Sequence, residues 1–176
     1  DDDIFTSEGT YTITAVAWDA LYNYSDADDV EFSIDKSAPS LSIDAYTPDP
    51  TKETALDYTG DASDNDQSGI DSVQFMIDGI TGYEDVDSYN ETTGEIEFTV
   101  TGLENDGDYT IWLKAIDIAG NESTDSDIVT IDRTGPTLSI DAPTSGSWHN
   151  TDVTIEWSVD EPGASSEGIA TLVALE

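Results

Sequence analysis

Polar and apolar residues alternate along most of this chain. Tyr11, Ile13, Ala15 and Ala17 alternate with Thr12, Thr14, Val16 and Trp18. Tyr109, Ile111, Leu113 and Ala115 alternate in the same phase with Thr110, Trp112, Lys114 and Ile116. A period of two sends successive side chains to opposite faces of an extended chain, so each run predicts a half-buried β-strand. Ile96, Phe98 and Val100 alternate with acidic residues and threonines, and Val73, Phe75 and Ile77 follow Gly69-Ile70 in the same manner. Clusters rich in Asp, Asn, Ser and Gly at 64–69, 90–94, 105–107 and 119–121 punctuate these runs as turns. No stretch sustains a helical period. Short strands with frequent turn signals predict an all-β sandwich or barrel.

The alternation is also duplicated. Gly9-Thr10-Tyr11-Thr12-Ile13, then Ala17-Trp18-Asp19, then Asn23-Tyr24-Ser25, recurs as Gly107-Asp108-Tyr109-Thr110-Ile111, then Ala115-Ile116-Asp117, then Asn121-Glu122-Ser123. Ile34-Asp35-Lys36-Ser37-Ala38-Pro39 recurs as Ile131-Asp132-Arg133-Thr134-Gly135-Pro136. A fixed period of this kind is the signature of a repeat array. Tyr109 follows a tight turn at the start of a strand, and Tyr11 repeats it. This is the tyrosine-corner arrangement of immunoglobulin-like sandwiches, in which the hydroxyl bonds back across the corner.

Strands can then be laid onto the middle of the chain: A at 40–44, B at 54–60, C at 70–78, C′ or D at 83–89, E at 95–101, F at 108–117 and G at 126–132. The predicted fold is a tandem of Greek-key β-sandwich repeats. Residues 37–134 form a complete domain. Residues 1–36 hold the F–G hairpin of another, and residues 135–176 hold strands A, B and part of C of a third. The terminal parts are either cropped from a longer array or completed by neighbouring chains.

Charge narrows the partners. Forty Asp and Glu stand against four Lys and Arg, for a formal charge of −36. Phosphate recognition needs a basic patch, so nucleic acid is not expected as a partner. Anionic membrane surfaces are disfavoured for the same reason. Self-repulsion of this size calls for bound cations or a salty, halophilic medium. Cysteine is absent, which removes disulfides, thiolate zinc sites and thiol nucleophiles. No run approaches the length of a membrane-spanning helix.

The motif resembles the tandem immunoglobulin-like (Big-type) repeats of bacterial and archaeal surface proteins. The residues that carry the likeness are Asp117-Ile118-Ala119-Gly120-Asn121-Glu122-Ser123 and Ile131-Asp132-Arg133-Thr134-Gly135-Pro136. The first copy departs from it, with Leu21-Tyr22 in place of Ala-Gly. The resemblance implies an extracellular or cell-surface location and a role in adhesins, stalks, S-layer-like coats, or accessory modules of large secreted enzymes.

Catalytic signals are missing. A Ser–His–Asp triad would have to use His149, the one histidine, and the strand–turn–helix elbow for a nucleophile is absent. The chain is therefore expected not to be an enzyme. Calcium is the sharper expectation, because it takes six to eight oxygens in flexible geometry and suits clustered loop carboxylates. In a sandwich of this topology the linker before strand A meets the B–C loop and the F–G hairpin at one pole. The first junction then gathers Asp35, Asp61, Asp64, Asp66 and Asp117, with Asn121 nearby. The second gathers Asp132, Asp160, Glu161 and Glu167. Against this, Lys36 and Arg133 adjoin Asp35 and Asp132 and offer them ion-pair partners, and Asp and Asn are also ordinary turn formers.

Three glycosylation sequons, at Asn23, Asn90 and Asn121, each fall in a predicted turn. Val16, Trp18, Trp112 and Ile116 occupy the outward phase of the F strands, where packing by a neighbour is the favoured explanation. The expected function is a non-catalytic spacer, stalk, filament or coat element, with Ca²⁺ stiffening its junctions. Its partners are neighbouring Ig-like domains of the same or adjacent chains. The alternatives are an adhesin or carbohydrate-binding module with a surface glycan or protein ligand, and an accessory part of a secreted enzyme.

Overall fold

A computed structural model describes residues 5–64 and 68–160 of the chain. Its regular structure among these residues is entirely β. The strands are β1 (Gly9–Ala15), β2 (Asp28–Ile34), β3 (Ser40–Ile43), β4 (Ala55–Ser63), β5 (Ile70–Ile77), β6 (Glu84–Asp85), β7 (Ser88–Tyr89), β8 (Glu95–Thr101), β9 (Gly107–Asp117), β10 (Glu122–Ile131), β11 (Thr137–Ala142) and β12 (Glu156–Asp160).

Two four-stranded antiparallel sheets make the central sandwich. One has the order β3-β4-β8-β7 and the other β10-β9-β5-β6. These are the predicted A-B-E-D and G-F-C-C′ sheets of an immunoglobulin-like fold. The predicted 83–89 strand divides into β6 and β7. β6 pairs with β5 and β7 pairs with β8, so this short edge segment passes from one sheet to the other. β10 also begins at Glu122, earlier than the predicted 126.

Alternation fills the space between the sheets. Leu56 and Tyr58 from β4, Val73, Phe75 and Ile77 from β5, Ile96, Phe98 and Val100 from β8, and Ile111, Leu113 and Ala115 from β9 form one buried cluster. Phe75 and Tyr58 both stack on Phe98, at centroid distances of 4.7 and 5.3 Å. Two carboxylates on β10 fasten the edge of the opposite sheet. Asp125 accepts from Ile43 N at 3.1 Å, and Asp127 from Tyr46 N at 3.0 Å and the Tyr58 hydroxyl at 3.1 Å. Burial, and then the Asp127 charge, raise the pKa of that hydroxyl.

Both tyrosine corners are present. The Tyr109 hydroxyl donates to Asn105 O at 2.9 Å, and that of Tyr11 to Ser7 O at 2.8 Å. Outside the sandwich, β1 and β2 form a two-stranded sheet, as do β11 and β12. Their apolar side chains are poorly covered: Ile13, Val30, Leu138, Ile140 and Trp157 are all exposed. Trp18 is exposed beside Tyr24, whereas Trp112 is half-buried. No helix among the described residues is long and apolar enough to cross a membrane.

β4 runs on past its predicted end, with Asp61, Ala62 and Ser63 paired to β3; the last predicted residue is Gly60. It pairs with Ile43, and a Cβ at this position would strike the Ser42 carbonyl oxygen, which is backbone and cannot move aside. Leu113 Cδ2 lies against the same position from the other sheet. Gly60→Ala is expected to cost about 1–3 kcal/mol through overpacking, read as a lower urea midpoint with an unchanged denaturant slope.

Candidate metal centre

The inward row of β9 ends on a carboxylate. After Ile111, Leu113 and Ala115, the next inward position is Asp117, which is 1 % exposed. A bare charge there would be costly, and the following turn satisfies it. Asn121 N donates to Asp117 Oδ1 at 2.8 Å, and Asn121 Nδ2 donates to Oδ2 at 2.8 Å. The backbone closes over them, with Asp117 N donating to Asn121 O at 3.0 Å and Gly120 in the left-handed region at φ +92°. Burial opposes ionisation of Asp117, but the hydrogen bonds led by the Asn121 amide outweigh it and hold its pKa below the ordinary 3.8.

The first copy builds the same turn. Asn23 N and Nδ2 donate to Asp19 at 2.9 and 2.7 Å. Tyr22 stands where the second copy has Gly120, at φ +64°. A left-handed conformation costs a non-glycine residue about 1–2 kcal/mol, so the Asp–Asn pair imposes the turn even on a side chain that resists it.

Two further carboxylates meet Asp117. Asp64, just past β4, accepts from Ser68 N, Ser68 Oγ and Gly69 N at 3.1, 3.1 and 2.7 Å. Asp35 follows β2. Its Oδ1 accepts from Ser37 N at 3.0 Å, and its backbone oxygen accepts from Asn121 Nδ2 at 3.3 Å. Its Oδ2 is buried and has no hydrogen-bond partner among the described residues. Asp35, Asp64 and Asp117 each bring one oxygen within 4.8 Å of the others. Oxygens bound to one Ca²⁺ at about 2.3–2.6 Å can stand no more than about 5 Å apart, so this spacing suits a shared cation. Without one, like charges at this separation repel.

The two cations beside the predicted ligands are engaged elsewhere. Lys36 Nζ donates to Thr6 O at 2.7 Å, and Lys36 N donates to Glu8 at 3.0 Å. The Ser37 hydroxyl donates to the same Glu8 oxygen at 2.8 Å. The guanidinium of Arg133 binds the carbonyls of Lys52, Leu103 and Glu53, while Arg133 N and the Thr134 hydroxyl donate to Asp106. Glu8 and Asp106 immediately precede the two repeat glycines, so both linkers use one clamp. Sequence reasoning missed it, although an acid at the same place in both copies was its available signal.

The structure brings together three of the predicted ligands and sets Asp61 apart from them. Asp61 lies on the exposed face of β4, opposite Ser42 and Glu95, and is not in the group of three. The sequence reading placed it in the B–C loop, but β4 continues to Ser63. Asp66, Glu161 and Glu167 lie outside the described residues. Asp132 accepts from Thr134 N at 3.1 Å, and Asp160 closes the β12 register opposite Thr137. Among the described residues, the group around Asp35 is the one cluster of potential metal ligands. His149 is exposed and shares a 2.7 Å hydrogen bond with the Ser147 hydroxyl.

The family of bacterial Ig-like domains (Big_13) matches residues 44–133, just over half of the chain. The chain belongs to this family. No curated protein matches it. The match covers the central sandwich from the end of β3 to the Arg133 clamp. The all-β, immunoglobulin-like fold expected from alternation and the tyrosine corners is therefore correct. The family is compatible with a structural module of a surface protein and is generally non-catalytic.

Proposed function

We propose that this bacterial Ig-like chain is a non-catalytic spacer in an extracellular or cell-surface array, with a divalent cation fixing the junction between successive units. Residues 37–134 are one unit, and 1–36 and 135–176 are parts of two others. Two observations support that division. The repeat motif spans the linkers, and Ile13 is exposed while its counterpart Ile111 is fully buried.

The buried, unpartnered Oδ2 of Asp35 carries the cation reading. Asp35 belongs to the linker, whereas Asp64 and Asp117 belong to the sandwich, so a cation held by all three ties linker to unit. The Glu8–Lys36–Ser37 clamp ties the same linker to the preceding hairpin. With both ties made, the linker has little freedom to swivel, which suits a stalk or coat.

The test is thermal melting at fixed ionic strength. Ca²⁺ at about one hundred times its Kd is expected to stabilise the chelator-treated protein by about 2.7 kcal/mol, a rise of several degrees. Asp35→Asn is expected to remove that rise. A melting temperature that follows NaCl but ignores Ca²⁺ would mean that the acidity serves a salty medium alone.

A further inference from the structure

The three glycosylation sequons share a sequence pattern but differ in what their amide nitrogens do. Asn23 Nδ2 donates to Asp19 at 2.7 Å. Asn121 Nδ2 donates both to Asp117 Oδ2 at 2.8 Å and to Asp35 O at 3.3 Å. Each nitrogen is spent in closing an F–G turn, and that of Asn121 also joins the turn to the linker. A sugar on Asn121 would have to replace those hydrogen bonds beside a buried carboxylate. The hydroxyl of Ser123, which completes the Asn121 sequon, is buried.

Asn90 is different. It is exposed in the turn between β7 and β8. Its Oδ1 accepts from Thr92 N at 3.0 Å and Thr93 N at 3.2 Å, an Asx-turn that orients the side chain through its oxygen. Its Nδ2 makes no hydrogen bond among the described residues. Thr92, which completes this sequon, is exposed as well. The turn itself is held by backbone hydrogen bonds from Asn90 N to Glu95 O at 2.9 Å and from Gly94 N to Asn90 O at 2.7 Å. Both survive substitution of Nδ2.

From this geometry we infer that Asn90, and neither Asn23 nor Asn121, is an N-glycosylation site. The sugar donor is an oligosaccharide carried on a lipid phosphate or pyrophosphate. Asn90 Nδ2 forms a bond to the anomeric carbon, and the bond from that carbon to the phosphate oxygen breaks. The lipid phosphate departs with the bonding electrons, and the amide nitrogen gives up one proton. Nothing is oxidised or reduced.

Four basic residues make the test direct. Trypsin cuts after Lys36, Lys52, Lys114 and Arg133, so Asn23, Asn90 and Asn121 fall in three separate peptides: the one that ends at Lys36, 53–114, and 115–133. Peptide mass mapping of protein from its natural source should show sugar-sized increments on 53–114, fragmenting to Asn90, with Asn23 and Asn121 unmodified in the other two. Thr92→Ala, which breaks the sequon but leaves Asn90 Oδ1 and the Thr92 and Thr93 N–H donors in place, should lose the increments when expressed in the same source and keep the parent melting temperature. An unmodified Asn90, or sugar on Asn23 or Asn121, overturns the inference. Protease shaving of intact cells, run alongside, reports separately whether the surface location itself holds.

Discussion

Ile111→Ala is expected to destabilise the protein by about 2–5 kcal/mol, whereas Ile13→Ala is expected to cost less than about 1 kcal/mol. The two isoleucines hold the same place in the duplicated motif. Ile111 is fully buried between the sheets, opposite Ile77 on one side and Asp127 on the other. Truncating it leaves a cavity within the buried cluster between the sheets. Ile13 is 44 % exposed and pairs with Val30, which is more exposed still. The comparison separates what the motif encodes locally, a strand and a hairpin, from what the second sheet adds. Urea unfolding of both variants decides it. Equal costs would show that the β1–β2 face is covered in solution.

Asp117→Ala is expected to cost about 2–3 kcal/mol, because it orphans the Asn121 N–H and amide donors at the end of the core. The pH dependence has a definite sign. The folded-state pKa of Asp117 lies below 3.8, so its ionised form contributes stability that is fully present above 3.8 and lost as pH falls through the lower folded value. The difference between parent and variant should therefore be constant from neutral pH to about pH 4 and shrink below it. A difference that vanishes well above pH 4 would contradict the role assigned to this carboxylate.

Much of this structure is legible in the sequence. Period-two alternation placed β3, β5, β8 and β9 to within about one residue, because each has one face in the core and one in solvent. Where the chain lacks that asymmetry, the reading slipped. The first turn of β10 is Glu122-Ser123-Thr124-Asp125, polar on both faces, yet β9 holds it in register. β6 and β7 are two residues each and pair with different sheets. The sequence ends strand B at Gly60 and puts Asp61 in the following loop, but β4 continues through Asp61, Ala62 and Ser63, which pair with β3. That one misreading put Asp61 among the predicted ligands.

The candidate site divides in the same way. Asp117 and Asp35 could be singled out because the repeat duplicates them, as Asp19 and Asp132. Asp64 was found only by its place in an acidic loop. Only the acid before each repeat glycine, Glu8 or Asp106, signals that Lys36 and Arg133 turn away to clamp the preceding corner. That leaves Asp35 beside two other carboxylates with a buried Oδ2 that no described residue bonds, and this arrangement is specific to the folded chain.

Titration calorimetry of Ca²⁺ into the chelator-treated chain, in salt sufficient to screen the −36 charge, tests the central claim most directly. One saturable site per chain, abolished alike by Asp35→Asn and Asp64→Asn and retained in Asp61→Asn, is the predicted result. Binding that is absent, or that all three variants retain, would contradict a cation-fixed junction.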